Sequence, residues 1–175
     1  VTVKSKLKGI YEESYDNLIL SPGVKAIIPN IPGINSKKIF TLRNIPDTDA
    51  IKAYVDKKGI NSAVVIGGGF IGVEMAENLI ERGLKVTLVE AVPHILAPFD
   101  ADMVVMAEKE LVENGVVLKL GDGVKSFEEV GNQVQVTLNS DTKLNADMVI
   151  LAIGVAPDTA FIKESGLEFG PRGHI

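Results

Sequence analysis

Gly67, Gly69 and Gly72 stand at Gly-x-Gly-x-x-Gly spacing, with Gly68 completing a run of three glycines. The apolar stretch Val64-Val65-Ile66 leads directly into them, and a helical pattern carrying Val73, Ala76 and Ile80 on one face follows at once. The chemistry this spacing serves is phosphate binding. Gly67 lets the chain turn tightly out of a strand, and Gly69 lets the backbone approach a pyrophosphate where any Cβ would collide. Gly72 lets the helix pack close to the sheet. The unpaired N–H groups of the helix's first turn then face the ligand, and the helix dipole favours its negative charge. Eighteen residues after Gly72, the run Val86-Thr87-Leu88-Val89 ends in Glu90. A carboxylate at the end of that strand is placed to accept hydrogen bonds from ribose hydroxyls, which completes a dinucleotide-binding fingerprint. It also repels the extra phosphate of NADP, and no Arg or Lys follows within Ala91-Val92-Pro93, so the pattern favours NAD.

The elements that must position these residues are legible on both sides. Ile45-Pro46-Asp47 opens a helix with Pro in its first turn and an acid complementing the dipole, and Gly59 closes it. A strand over 62–67, a helix from the glycines to Arg82 and a strand over Lys85 to Glu90 form a right-handed parallel unit. Asp100 is placed to cap a helix over 101–114, and Val116 to Leu120 makes a third strand. The pattern then changes to short strands at Val124–Val130, Gln133–Leu138 and Thr142–Asn145, separated by Gly131-Asn132 and Asn139-Ser140-Asp141 turns. Alternation of Val134, Val136 and Leu138 with polar residues predicts an antiparallel meander with one wet face. The apolar run Met148 to Ile153 predicts a central buried strand ended by Gly154. Ligands of such sheets sit beyond the carboxyl ends of the strands, so Ile153 and Gly154 are expected against the cofactor. Before the first helix, Tyr15 to Leu20 reads as a short buried strand and residues 22–44 as an irregular linker. After the last strand, Asp158 is expected to cap a helix through Ser165. The fold class is α/β: a Rossmann-like parallel sheet flanked by helices, with an antiparallel β-meander replacing one crossover.

Composition narrows the function. The chain has 175 residues, 46% of them hydrophobic, enough for one sizeable core with a small appendage. Its net charge of −5 and lack of any basic block argue against nucleic acid or an anionic membrane surface as partner. No apolar run approaches the roughly 20 residues that span a bilayer, no secretory pattern opens the chain, and a cytoplasmic setting is expected. With no cysteine, this stretch holds no disulfide, thiolate metal site or thiol nucleophile. His94 and His174 are too few and too far apart for a metal site, and none is expected. Val1 in place of an initiator Met suggests a segment of a longer chain.

The glycine run through Ala76, with Val86-Thr87-Leu88-Val89-Glu90, resembles the NADH-binding domain of the flavin-dependent pyridine nucleotide–disulfide oxidoreductases. Tyr15-Asp16-Asn17-Leu18-Ile19-Leu20-Ser21-Pro22-Gly23 and Thr41 to Thr48 are similar to the NADH oxidase, NADH peroxidase and coenzyme A-disulfide reductase branch, and Asp147 to Gly154 resembles the last strand of that domain. The resemblance implies residues 1–44 as the tail of an FAD-binding domain with its linker, and 45–175 as the NAD(H)-binding domain. It implies NAD(H) here, with FAD, a redox-active cysteine and a dimerisation domain elsewhere in a homodimeric parent; none of these parts is in this chain. It further implies that Phe70 covers the flavin until NADH displaces it, that Ile71 touches the nicotinamide, that Glu74 hydrogen-bonds the nicotinamide carboxamide and that the Val124 backbone touches the adenine. Read from the residues alone, Glu74 is a favourable charge near the helix start and Val124 an ordinary core residue. Ser21-Pro22-Gly23, where many relatives have Ala-Thr-Gly, and Ala156-Pro157, without a preceding Arg, depart from the commoner family pattern. The chain is expected to bind NAD(H) weakly without turnover. The residues also leave open a free-standing NAD-binding regulatory module. A dehydrogenase with its own substrate site lacks support, because Tyr11, Tyr15 and Tyr54 all precede the glycines and none begins Tyr-x-x-x-Lys.

Overall fold

A computed structural model describes residues 1–175. The chain divides into two compact units, one of residues 25–156 and one of residues 1–24 with 157–175.

Strand β3 (Val24–Ala26), which starts one residue before the larger unit, and β4 (Ile39–Phe40), within it, precede α1 (Ile45–Val55); β1 and β2 belong to the smaller unit. Asn44 caps α1 by accepting from the Asp47 N–H, and Asp47 accepts in return from the Asn44 N–H, a reciprocal capping box. Then come β5 (Ser62–Ile66), α2 (Phe70–Glu81), β6 (Lys85–Glu90), α3 (Ala101–Glu113) and β7 (Val117–Leu120). The meander is β8 (Val124–Val130), β9 (Gln133–Leu138) and β10 (Lys143–Ala146), followed by β11 (Met148–Leu151) and β12 (Val155–Pro157). Strands β4, β11, β5, β6 and β7 lie side by side in that order, all parallel.

Side chains alternate across a strand, so this one sheet serves two cores. Ala63, Val65, Val86, Leu88, Met148 and Ile150 point to the helical face, where Ile51 of α1, Ala76 and Leu79 of α2 and Val104 and Leu111 of α3 cover them. Val64, Ile66, Val89, Val149 and Leu151 point the other way and meet Phe127, Val134, Val136 and Leu138 of the meander. The meander thus does the covering that helices would otherwise do on this face. Full burial of each such side chain stabilises by about 1.5–3 kcal/mol.

Residues 22–44, expected to be an irregular linker, are built into the fold. Ile31, Ile34 and Ile39 pack on the meander core, and the Phe127 N–H donates to the Pro32 carbonyl at 2.8 Å. Gly33, at φ +78, passes so close that a Cβ would strike the Phe127 carbonyl. The larger compact unit begins at Lys25 and so includes residues 25–44.

The smaller unit contains the antiparallel hairpin of β1 (Thr2–Ser5) and β2 (Gly9–Glu12). Two expectations fail here. Tyr15 to Leu20 forms no strand, and Ile19 is 90% exposed. The helix expected through Ser165 is a single 3-10 turn at Ala160–Ile162, with Thr159 rather than Asp158 at its cap position. Phe161 is 71% exposed. Short helices and strands depend on packing for stability, and these apolar groups meet no core in this chain. No helix of the chain is long and apolar enough to cross a membrane.

Candidate dinucleotide-binding site

A cleft of about 750 Å³ opens at the carboxyl ends of β11, β5 and β6. The glycine run forms its floor, and the three glycines do different work. Gly67, at φ +104, brings the turn against the end of β11, where a Cβ would strike the Ala152 carbonyl. Its N–H continues the ladder to the Val89 carbonyl at 2.8 Å. Gly72 lies buried in α2, and a Cβ there would strike the Gly67 carbonyl, so helix and turn are in contact. Gly69, the N-cap of α2, has nothing within 4 Å of where a Cβ would stand. The turn is left open on this side. The first intrahelical bond runs from the Val73 N–H to the Gly69 carbonyl, so the N–H groups before it have no acceptor within the helix.

Glu90 does more than end its strand. Its Oε2 accepts from the Gly68 N–H at 2.6 Å and its Oε1 from the Val92 N–H at 3.0 Å. The carboxylate thereby ties the glycine turn to the chain leaving β6. An ionised carboxylate offers about four acceptor positions, so further hydroxyl donors can still be accommodated. A second tie comes from the loop after β6: the Leu96 N–H donates to the Gly68 carbonyl at 2.7 Å, and Ile95, fully buried, packs where a Gly68 side chain would stand. His94 Nδ1 lies 3.1 Å from Glu108 Oε1, which also accepts from the Ile95 N–H and holds this loop to α3.

Gly67, Gly68, Gly69, Phe70, Ile71, Glu90, Val124, Ile153 and Gly154 all line the cleft. Gly72 lies beneath it. Glu74 is exposed and outside the lining. Because α2 starts at Phe70, Glu74 opens the second turn, and the first turn holds no acid, so the expected dipole contact is weakened. Phe70, 59% exposed, meets the Phe99 ring edge-on with centroids 5.9 Å apart. Missing from the sequence reading are Pro29 and Ile31, the loop residues Ala97 and Pro98, and the pair Gly123 and Asn139. Nothing in a one-dimensional pattern connects these segments to the glycines. The Asn139 N–H donates to the Gly123 carbonyl, and the Asp122 N–H to the Glu90 carbonyl, which brings the meander's first turn beside the end of β6.

Only Glu90 and Asn139 contribute polar side chains to the lining. The lining presents no acid–base pair and no nucleophile. It presents free helix N–H groups, an acid tied to the glycine turn and apolar walls, a set suited to holding an extended dinucleotide.

Fold and cleft together define a Rossmann-like α/β domain with a candidate dinucleotide cleft. The family profile of pyridine nucleotide-disulphide oxidoreductases matches residues 1–175, and the chain belongs to that family. It is 36% identical over 94% of its length to the coenzyme A disulfide reductase of Staphylococcus aureus (strain Newman), of which it covers 36%. The reduced CoADR-RHD of Bacillus anthracis superposes with a TM-score of 0.90 at 50% identity, over 98% of this chain and 31% of that one. The water-forming NADH oxidase of Lactobacillus brevis, solved with NADH bound, superposes at 0.85 with 31% identity, over 98% and 38%. The chain spans well under half the length of the curated relatives it matches.

Proposed function

We propose that residues 25–156 are the NADH-docking domain of an FAD-dependent oxidoreductase, a cytoplasmic homodimer, and that this chain alone binds NAD(H) without turnover. The observation that supports this reading is the hydrogen bond from the Gly68 N–H to Glu90, which joins the acid to the glycine turn on one cleft floor. When bound, NADH would supply a hydride, and the onward chemistry toward a disulfide, peroxide or oxygen would belong to a flavin and a cysteine-based centre elsewhere in the parent. Everything this chain does is positioning. The N–H groups at the start of α2 bind the pyrophosphate, and Glu90 receives the adenosine ribose. Val124 borders the adenine, while Ile71, Ile153 and Gly154 border the nicotinamide and exclude water from it. Phe70 stands exposed at that same end, where a flavin would be covered until the dinucleotide arrives. Glu74, outside the cleft lining, reaches the carboxamide only from its rim. Similarity to a disulfide reductase and an NADH oxidase supports the class of reaction, and the acceptor is left to other parts of the parent.

In this reading residues 1–24 and 157–175, which form one unit, are parts of the FAD-binding domain, with residues 25–44 carried by the NADH domain instead of serving as linker. The exposed Leu18, Ile19 and Phe161 are then surfaces for the rest of that domain. Calorimetric titration of the chain with NADH tests the reading: weak saturable binding is expected. No heat at millimolar NADH, with a native circular dichroism spectrum, sinks it.

A further inference from the structure

Asn139 is the one polar side chain in the cleft, besides Glu90, and it stands at the adenosine end. Three contacts fix that position. The Asp122 N–H donates to the Glu90 carbonyl at 3.1 Å, the Gly121 N–H to the Val92 carbonyl at 2.9 Å, and the Asn139 N–H to the Gly123 carbonyl at 2.8 Å. The lining therefore runs without a break from the ribose acceptor through Gly123 and Val124 to Asn139. Gly123 is where the carboxamide rests: a Cβ there would lie 2.9 Å from Asn139 Nδ2 and 3.3 Å from the Ala91 Cβ. The carboxamide of Asn139, an exposed residue, thus lies against the Gly123 backbone at the cleft wall, and no hydrogen bond within the chain engages its oxygen or nitrogen.

Building on the NAD(H) reading above, we infer that Asn139 is a specificity-determining residue that recognises the adenine base of the dinucleotide. A primary carboxamide carries one acceptor beside one donor, and adenine carries its 6-amino donor beside a ring-nitrogen acceptor. The two match as a bidentate pair. The other walls at this end, Ala91, Val92 and Val124, can sandwich any purine, so base identity falls to Asn139.

The test compares NAD+ with its 1,N6-etheno derivative, whose bridge removes the 6-amino hydrogens, on the wild-type chain, Asn139→Ala and Asn139→Leu. Equilibrium dialysis gives each dissociation constant, and circular dichroism confirms each fold. Loss of one neutral hydrogen-bonded pair predicts that the preference for NAD+ over the etheno compound falls roughly three- to tenfold in both variants. Packing lost equally with both ligands cancels in that ratio, and the near-isosteric Asn139→Leu retains the bulk that the etheno ring would meet, so its fall reports the hydrogen bonds. An identical preference in wild type and variants overturns the assignment, with NAD+ binding itself intact. A wild-type chain that binds neither dinucleotide instead overturns the NAD(H) reading and this assignment with it.

Discussion

The two ends of the parallel sheet each hold a carboxylate that accepts backbone N–H groups, and they are put to opposite uses. At the amino end, Asp147 is buried. Its Oδ2 accepts from the Asn61 N–H, the Ser62 N–H and the Ser62 hydroxyl, and its Oδ1 from the Gln133 amide, all at 2.8–3.0 Å. Burial alone would raise its pKa, but these donors outweigh it and hold the group below the usual carboxylate range. At the carboxyl end, Glu90 accepts two N–H groups and keeps its remaining acceptor positions toward the cleft. A saturated carboxylate locks β5 to β11 and the meander. An unsaturated one organises a turn and leaves acceptor positions open at the cleft.

Asp147→Ala carries the largest expected effect. It leaves buried donors unpaired and costs about 3 kcal/mol in urea unfolding, while the remaining native protein keeps its NADH affinity. A change in that affinity would break the division of labour. The same site has a pH signature. Because its folded pKa lies below the unfolded value near 3.9, its stabilisation is complete above that value and is lost as pH falls through the lower folded pKa. Asp147→Asn should flatten this acid limb of the stability profile.

The glycine turn sharpens the contrast. Gly72→Ala drives a Cβ into the Gly67 carbonyl and should cost about 2 kcal/mol of stability together with NADH binding. Gly69→Ala meets open space at an extended φ of −75 and should unfold within about 1 kcal/mol of wild type. Its NADH affinity should nonetheless fall by tenfold or more in calorimetry, since the added methyl occupies the phosphate's approach. Equal affinity in Gly69→Ala would show that the phosphate lies elsewhere.

Glu90→Gln has the smallest structural effect, about 1 kcal/mol or less, because the amide can keep accepting one of the two N–H groups. Binding of NADH should weaken about tenfold in the same titration. A stability loss rivalling that at Asp147 would make the two carboxylates alike and erase the comparison.

The sequence shows β5, the glycine turn, α2 and β6 plainly, because each is specified by its own residues: apolar run, glycines, helical period, terminal acid. The meander is equally visible, since alternating Val134, Val136 and Leu138 are bracketed by short turns. What escaped were features specified by distant partners. Strand β4 has two residues and exists only through pairing with β11. Ile31 is apolar in a Pro- and Gly-rich stretch, and only the fold shows that it covers the meander. The Glu90–Gly68 bond and the Asn139–Gly123 contact join segments 22 and 16 residues apart, and no periodicity links them. The two mistaken elements, at Tyr15–Leu20 and Asp158–Ser165, have the opposite cause. Their local pattern is adequate, but their apolar side chains find no core here to bury them.

The backbone bond from the Ile27 N–H to the Gly154 carbonyl, 3.0 Å long, sets the start and finish of residues 25–156 side by side. A segment whose two ends meet can be moved between hosts as an insert, because joining it to a new chain needs only two closely spaced peptide connections. The same geometry makes it a candidate for circular permutation, with new termini at the Gly131-Asn132 turn and a short linker bridging the old ones.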